Sequence, residues 1–103
     1  LVLGDMGEVG DQSDEYHAEV GQVAKKLGVK NLYALGDATT HTVSAFGEGA
    51  VHFSNIDTLI DNTMNITKQG RWSVLVKGSR FMKMERVVQA LVQHQAGETN
   101  RAS

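Results

Sequence analysis

The turn Lys77-Gly78-Ser79-Arg80 carries two cations and a hydroxyl group within four residues. It is the short segment whose side chains are most suited to binding a charged ligand. It follows an apolar run, 74–76, and precedes a segment with apolar residues at helical spacing. Backbone N–H groups at a helix start favour anions, so the turn predicts a site for a carboxylate or a phosphate. The structural alternative makes Ser79 an N-cap with two solvated cations. Because cations at a helix start oppose the helix dipole, the pattern favours function.

Acidic residues in a glycine-rich loop form a second candidate site. Asp5 and Glu8 follow the apolar run 1–3, and Asp37 follows a similar run. Each could contact a ligand, or could serve as a turn-forming or helix-capping acid. His17 lies in the first turn of a predicted helix, where it could face the ligand or be a solvated or capping residue.

Several kinds of site are not supported by the sequence. It has neither a P-loop nor the Gly-x-Gly-x-x-Gly fingerprint, so nucleotide binding by this chain alone is not expected. Its four histidines have no partners at metal-ligand spacing, and it has no cysteine. No serine or threonine has a patterned base, so no catalytic residue is predicted.

Four strands alternating with four helices are predicted to position these loops. The strands are expected over residues 1–3, 31–35, 50–53 and 72–77, and the helices over 13–27, 39–46, from the segment 54–57 to 68, and 80–95. A capping box, Ser54-Asn55-Ile56-Asp57, opens the third helix. Uniformly apolar strands joined by helices predict an open, Rossmann-like α/β sandwich of three layers with a mostly parallel sheet. The carboxyl ends of its strands, where ligands bind in such folds, carry the candidate loops.

The apolar faces of the first and last helices can be read from their spacing. The first helix places these residues on one face: Tyr16, Val20, Val23, Ala24 and Leu27. The last helix is expected to bury these: Met84, Val87, Val88, Leu91 and Val92. One domain over residues 1–96 and a flexible tail over 97–103 follow from these patterns.

Composition is that of an ordinary globular chain of 103 residues with a net charge of −2. That charge gives no case for nucleic acid or a membrane surface, and no run is long and apolar enough for a membrane span. The absence of cysteine is compatible with the cytoplasm. Because Leu1 opens directly in a strand-like run without methionine, we expect the chain to be part of a longer protein.

Three blocks in order resemble the C-terminal domain of the MurF family of Mur ligases. They are Val2-Leu3-Gly4-Asp5-Met6-Gly7-Glu8-Val9-Gly10, His17-x-x-Val20-Gly21, and Val74-Leu75-Val76-Lys77-Gly78-Ser79-Arg80-x-Met82-x-Met84-Glu85-x-Val87-Val88. The first and last blocks are specific, and the stretch from 37 to 69 is not. Domains of this family begin with a further strand and helix, so the resemblance implies that these two elements precede the chain.

The resemblance implies an ATP-dependent ligase that adds D-Ala-D-Ala to a UDP-MurNAc-tripeptide through an acyl phosphate in peptidoglycan synthesis. ATP and Mg²⁺ would be bound mainly by a central domain, and the UDP-sugar mainly by an N-terminal domain, neither of which is in this chain. The piece by itself is expected to bind no cofactor and to be inactive.

The loops of this chain would approach the dipeptide. Arg80, with Ser79 and Gly78, would hold its carboxylate, and Asp5 or Glu8 would hold its ammonium group. Met6, Lys77 and His17 complete the set of candidate substrate-binding residues, with Lys77 open to a structural role.

Two alternatives stay open. One is an autonomous, non-catalytic α/β binding module. The other is the C-terminal domain of another Mur or folylpolyglutamate-type ligase, against which the Lys-Gly-Ser-Arg turn weighs.

Overall fold

The computed structural model describes residues 1–6, 13–68, 72–78 and 83–102, with the side chains of the last helix described through Gln93. Strands and helices alternate along the chain. The strands are β1 (Val2–Gly4), β2 (Leu32–Leu35), β3 (Ala50–Phe53) and β4 (Val76–Lys77). The helices are α1 (Ser13–Lys26), α2 (Thr39–Phe46), α3 (Ile56–Thr67) and α4 (Glu85–Ala102).

The four strands form one parallel sheet in the order β3-β2-β1-β4. The chain moves outward from β1 to β3, then returns past β1 to β4. Right-handed crossovers therefore place α1 and α2 on one face of the sheet and α3 and α4 on the other. The predicted open, Rossmann-like α/β sandwich is confirmed.

A separate hydrophobic cluster fills each face. On the face of α1 and α2, Leu32 and Ala34 of β2 pack with the helix residues Ala24 and Phe46. On the other face, β-strand residues meet α3, the turn before α4 and α4 itself. That second cluster consists of Val2, Leu35, Phe53, Leu59, Met84 and Val87. Alternate residues of one strand thus serve two cores, as expected for a sheet covered on both sides.

The region around β4 differs most from the sequence prediction. Only Val76 and Lys77 pair with β1, because β1 begins at Val2, which lies opposite Val76. The strand predicted from residue 72 is therefore wrong at its start. The helix predicted from Arg80 begins instead at Glu85, since Lys83 has a φ of 52° in the left-handed region, which interrupts an α-helix.

This later start of α4 removes the helix-dipole argument for an anion site at the Lys77–Arg80 turn. The first turn of α4 carries an acid, Glu85, as the helix dipole favours. Ser79 and Arg80 lie outside the described residues and upstream of this turn. The helix-dipole argument for the turn therefore does not apply, and the anion site predicted there stays a prediction. At its other end, α4 continues to Ala102, beyond the predicted end at Gln95.

The face that α1 buries also differs from the prediction. Its buried residues are His17, Gly21 and Ala24, which face α2. Gly21 is needed there, because a Cβ at this position would collide with the carbonyl oxygen of Thr42. The predicted apolar stripe is left largely exposed, with Val23 at 47% and Leu27 at 78%. In α4, Val88 and Val92 are likewise exposed, against the prediction.

The third helix begins one residue later than a Ser54 cap would require. Asn55 is the N-cap: its backbone is extended, and its side-chain oxygen accepts a hydrogen bond from the Thr58 amide at 2.9 Å. Its oxygen also accepts from the Thr58 hydroxyl group. The predicted capping box is therefore wrong in register, although it placed the helix correctly.

Asn55→Ala is expected to lower the free energy of unfolding by about 1 kcal/mol, the usual cost of losing an N-cap side chain. Ser54→Ala removes a neighbouring polar side chain from an exposed position and should change it by less than about 0.5 kcal/mol. Urea unfolding followed by circular dichroism measures both. A larger loss for Ser54→Ala than for Asn55→Ala would contradict this capping assignment.

Candidate functional site

Two of the candidate loops meet where β1 and β4 end. Gly78 follows β4 directly and lies against Gly4, the last residue of β1. A Cβ on Gly78 would come within 3.3 Å of the Gly4 Cα and 2.6 Å of the Met84 Cγ. A side chain on Gly78 would crowd both the Gly4 backbone and the Met84 side chain, so glycine favours this close approach. The structure therefore brings Asp5, which follows Gly4, next to the start of the Lys77–Arg80 turn.

Asp5 caps a helix that is distant in sequence. Its carboxylate Oδ1 accepts a hydrogen bond from the backbone amide of Thr39 at 3.0 Å. That amide opens α2, whose own N-cap residue, Ala38, provides no capping side chain. A carboxylate here is also favoured by the helix dipole. Asp5 therefore has the capping role that the sequence left open, and a carboxylate has further lone pairs with which it could accept from a ligand.

Gly36 completes this arrangement at the end of β2. It has a φ of 116°, and a Cβ on it would collide with the Asp5 carboxyl group. Its carbonyl oxygen accepts two hydrogen bonds, from the Thr39 hydroxyl group and from His52 Nε2, both at 2.7 Å. Thr39 and His52 were not among the predicted site residues. No local sequence signal marks them, because their partners come from other strands.

His17 is completely buried between the end of β1 and α2. Its Nε2 accepts a hydrogen bond from the Met6 amide at 3.0 Å, and its Nδ1 lies 2.6 Å from the Ser13 carbonyl oxygen. Its own carbonyl oxygen accepts from the buried Thr42 hydroxyl group at 2.7 Å. This environment favours a supporting role over direct contact with a substrate. The buried position differs from the solvated or capping position that the sequence allowed.

The other candidates are placed as follows. Lys77 is exposed, and its pairing with Leu3 puts it on the face of α1 and α2. Asp37 is exposed, and its carbonyl oxygen accepts from the Thr40 hydroxyl group. Glu8, Ser79 and Arg80 lie outside the described residues. Their substrate-binding roles stay predictions, as do those of the described candidates.

An apolar groove of about 750 Å³ is lined by α1, β1, the segment before β4 and the C-terminal end of α3. Its exposed large side chains come from the predicted stripe of α1 and from the segment before β4. They are Tyr16, Val23, Leu27, Trp72, Val74 and Leu75. Leu1 lies at its edge, with its backbone nitrogen donating to the Asn31 carbonyl oxygen at 2.9 Å. A contiguous exposed patch of this kind is typical of an interaction surface.

Within residues 1–6, 13–68, 72–78 and 83–102, no three His, Cys, Asp or Glu side chains are grouped closely enough to hold a metal ion. In that same part of the chain, no helix combines the length and apolar character needed to cross a membrane.

Comparison with known proteins connects this site to one class of enzyme. No family model matches the chain. It is 37% identical over 93 residues to the UDP-N-acetylmuramoyl-tripeptide–D-alanyl-D-alanine ligase of Buchnera aphidicola subsp. Acyrthosiphon pisum. It is 38% identical over 92 residues to the ligase of that name from Escherichia coli K12. These matches cover 89% and 88% of the chain but only 20% of each relative.

Solved structures give the same result. A crystal structure of MurF from Acinetobacter baumannii matches with a TM-score of 0.79 and 27% identity, over 89% of this chain and 21% of that one. A second crystal structure of the same enzyme matches with a TM-score of 0.75. The fold and these matches place the chain in the Mur ligase family. Within that family it corresponds to the C-terminal domain of MurF.

Proposed function

We propose that this chain is the C-terminal domain of an ATP-dependent ligase that joins D-Ala-D-Ala to a UDP-MurNAc-tripeptide in the cytoplasm. The relatives named for this reaction match the chain over nearly its whole length. The observation that carries the proposal is the meeting of the two sequence blocks that mark the resemblance. Gly4 and Gly78, one from each block, lie close together at the carboxyl edge of the sheet, and Asp5 directly follows Gly4 in the chain.

The proposed reaction has two steps. ATP first transfers its γ-phosphoryl group to the terminal carboxylate of the tripeptide, giving an acyl phosphate and ADP. The amine of D-Ala-D-Ala then attacks the acyl carbon, and inorganic phosphate leaves from the tetrahedral intermediate as the amide bond forms. The amine must lose a proton in this second step. A domain that fixes the dipeptide accelerates it by holding the nucleophile close to the acyl carbon.

The dipeptide carries one charge at each end, and the sheet edge offers a partner for each. Arg80 follows Gly78 by two residues, which span at most about 7 Å of chain. Its guanidinium group suits the dipeptide carboxylate because it can form two parallel, charge-assisted hydrogen bonds. Asp5, with lone pairs left after capping α2, suits the ammonium group before attack. In this proposal the domain closes over the active site with the dipeptide between these residues.

ATP and Mg²⁺ belong to other parts of the proposed enzyme. The sequence has no P-loop, and the described residues form no cluster of metal-ligating side chains. The residues present thus do not fit a magnesium site, and no step of the reaction is assigned to a metal on this chain. The central domain expected from the resemblance would supply both.

The apolar groove is the proposed contact with the preceding polypeptide. A helix joining an earlier parallel strand, placed beyond β4, to β1 must lie on the face of α1 if its crossover is right-handed. The side chains of α1 that line the groove lie on that face, and the end of α3 lines the groove from the other face. Fully burying one large aliphatic side chain stabilises a protein by about 1.5–3 kcal/mol, so Val23, Leu27 and Leu75 together would hold such a helix firmly.

In a full-length enzyme that contains this chain, Arg80→Ala is expected to raise the KM for D-Ala-D-Ala by about tenfold to a hundredfold. This range corresponds to the loss of a hydrogen bond between charged groups, about 1.5–3 kcal/mol. The KM for ATP should stay unchanged. Steady-state release of phosphate, with each substrate varied in turn, measures both constants.

Lys68→Ala is the matched control, because Lys68 is an exposed cation after the end of α3, at the opposite edge of the sheet. It should leave both constants unchanged. Unchanged dipeptide kinetics in Arg80→Ala would remove Arg80 from the site. A full-length protein that releases no phosphate in the presence of all three substrates would overturn the ligase proposal and favour the autonomous binding module.

A further inference from the structure

The end of β1 is fixed to both helices of one face through two hydrogen bonds. Asp5 is held by its side chain, which accepts from the Thr39 amide at the start of α2. Met6 is held by its backbone amide, which donates to His17 Nε2 from α1. The same His17 is tied to α2, because the Thr42 hydroxyl group donates to its carbonyl oxygen. Both Thr39 and Thr42 are completely buried.

These contacts define one tautomer of His17. Since Nε2 accepts a hydrogen bond from an amide, it carries no proton, and the proton of the neutral ring lies on Nδ1. From there the ring donates to the Ser13 carbonyl oxygen at 2.6 Å. The Ser13 hydroxyl group is also near Nδ1, at 3.3 Å. The buried imidazole therefore joins the residue before segment 7–12 to the residue after it, with both of its nitrogens in use.

We propose that His17 is a positioning residue for the amine-binding end of the site. It acts by fixing the backbone at Met6 and hence the direction of the Asp5 carboxylate, and it does not touch the substrate. This inference rests on the proposed function, because it assigns the held residues to the dipeptide. The physical reason is that a nucleophile misplaced by about 1 Å can lose about a hundredfold in rate.

Two substitutions separate the two hydrogen bonds of the ring. His17→Gln can present its amide oxygen near the position of Nε2 and so accept from the Met6 amide. His17→Asn can present its amide nitrogen near the position of Nδ1, but it is too short to reach Met6. In the full-length enzyme, we expect His17→Asn to raise the KM for D-Ala-D-Ala by about tenfold or more. His17→Gln should recover most of that loss, and the KM for ATP should stay unchanged in both.

Leu59→Ala is the control for a general loss of stability. Leu59 is completely buried in α3, in the cluster on the face opposite α1, and does not line the groove. It should lower the melting temperature without a selective change in the KM for the dipeptide. Equal dipeptide constants in wild type and His17→Asn would overturn the inference. So would a parallel rise in both KM values, or an effect of His17→Gln as large as that of His17→Asn.

The activity of the wild-type enzyme shows whether a negative result counts against the proposed function or only against the positioning role of His17. If it makes no amide bond from the three substrates, the ligase proposal fails. If it is active and His17→Asn has normal dipeptide kinetics, only the positioning role fails. Should His17→Asn not fold, hydrogen exchange at the Met6 amide in wild type and His17→Gln decides the matter. Comparable protection in both supports the inference, and a fully exposed amide in wild type overturns it.

Discussion

Gly36→Ala is expected to lower the free energy of unfolding by about 1.5–4 kcal/mol. Two costs add. A side chain at a positive φ, here 116°, costs about 1–2 kcal/mol. In addition, the new Cβ collides with the Asp5 carboxyl group and displaces it from the Thr39 amide, which removes a helix cap worth about 0.5–2 kcal/mol. Urea unfolding of the chain, followed by circular dichroism, measures the change.

Gly47→Ala separates these two costs. Gly47 also has a positive φ, 83°, but a Cβ there has open space, with no atom within 4 Å. It should therefore show only the backbone cost, about 1–2 kcal/mol. Equal losses in Gly36→Ala and Gly47→Ala would mean that the contact between Gly36 and Asp5 contributes nothing. In the full-length enzyme, Gly36→Ala should also weaken dipeptide binding, because it moves the Asp5 carboxylate.

The architecture could be predicted because its signals are local. Each of the first three strands is a short apolar run closed by a turn or loop, and each following helix has its own apolar spacing. The bounds of α2 and β3 agree with prediction for this reason. The start of α4 was missed because one left-handed residue, Lys83, decides it, and lysine gives no sign of that conformation. The length of β4 depends on its neighbour β1 rather than on its own residues.

The candidate site was predictable in its position but not in its contacts. Glycines and polar residues after parallel strands indicate the carboxyl edge, and the structure places Gly4 and Gly78 close together there. The hydrogen bond from the Thr39 amide to the Asp5 carboxylate joins residues 34 positions apart, so no local sequence pattern predicts it. His17 shows the same limit. A histidine in the first turn of a helix has the same sequence whether it is solvated or buried, and only packing against α2 distinguishes the two.

The buried face of α1 differs from the predicted one because of the way α1 packs against α2. Apolar spacing selects Tyr16, Val23 and Leu27, whereas the close approach at Gly21 turns another side of the helix toward α2. Helix α1 thus packs one face on α2 and leaves a second, apolar face exposed and available for another contact. The segment before β4 adds Trp72 and Leu75 to that surface. If the preceding polypeptide covers this surface as proposed, the apolar spacing of α1 is a signal of burial.

Cysteine modification tests whether the preceding polypeptide covers the groove. The chain has no cysteine, so single thiols can be introduced by Val23→Cys or Leu75→Cys in the groove. If the preceding polypeptide fills the groove, each thiol should react about tenfold or more slowly in the full-length protein than in the 103-residue chain. Such protection corresponds to an opening free energy of about 1.4 kcal/mol or more. The rate of reaction with a small thiol reagent measures it, in a full-length background without other cysteines.

Val51→Cys is the matched control, because Val51 on β3 is 45% exposed, close to the 47% of Val23, yet lies outside the groove. Its thiol should react at similar rates in both proteins. Equal rates for Val23→Cys in the two proteins would leave the groove open to solvent and overturn its assignment. Protection that appears only in the 103-residue chain and rises with its concentration would instead assign the groove to a second copy. Slow reaction at Val23 and Leu75 with fast reaction at Val51 distinguishes a covered groove from a general shielding of the domain.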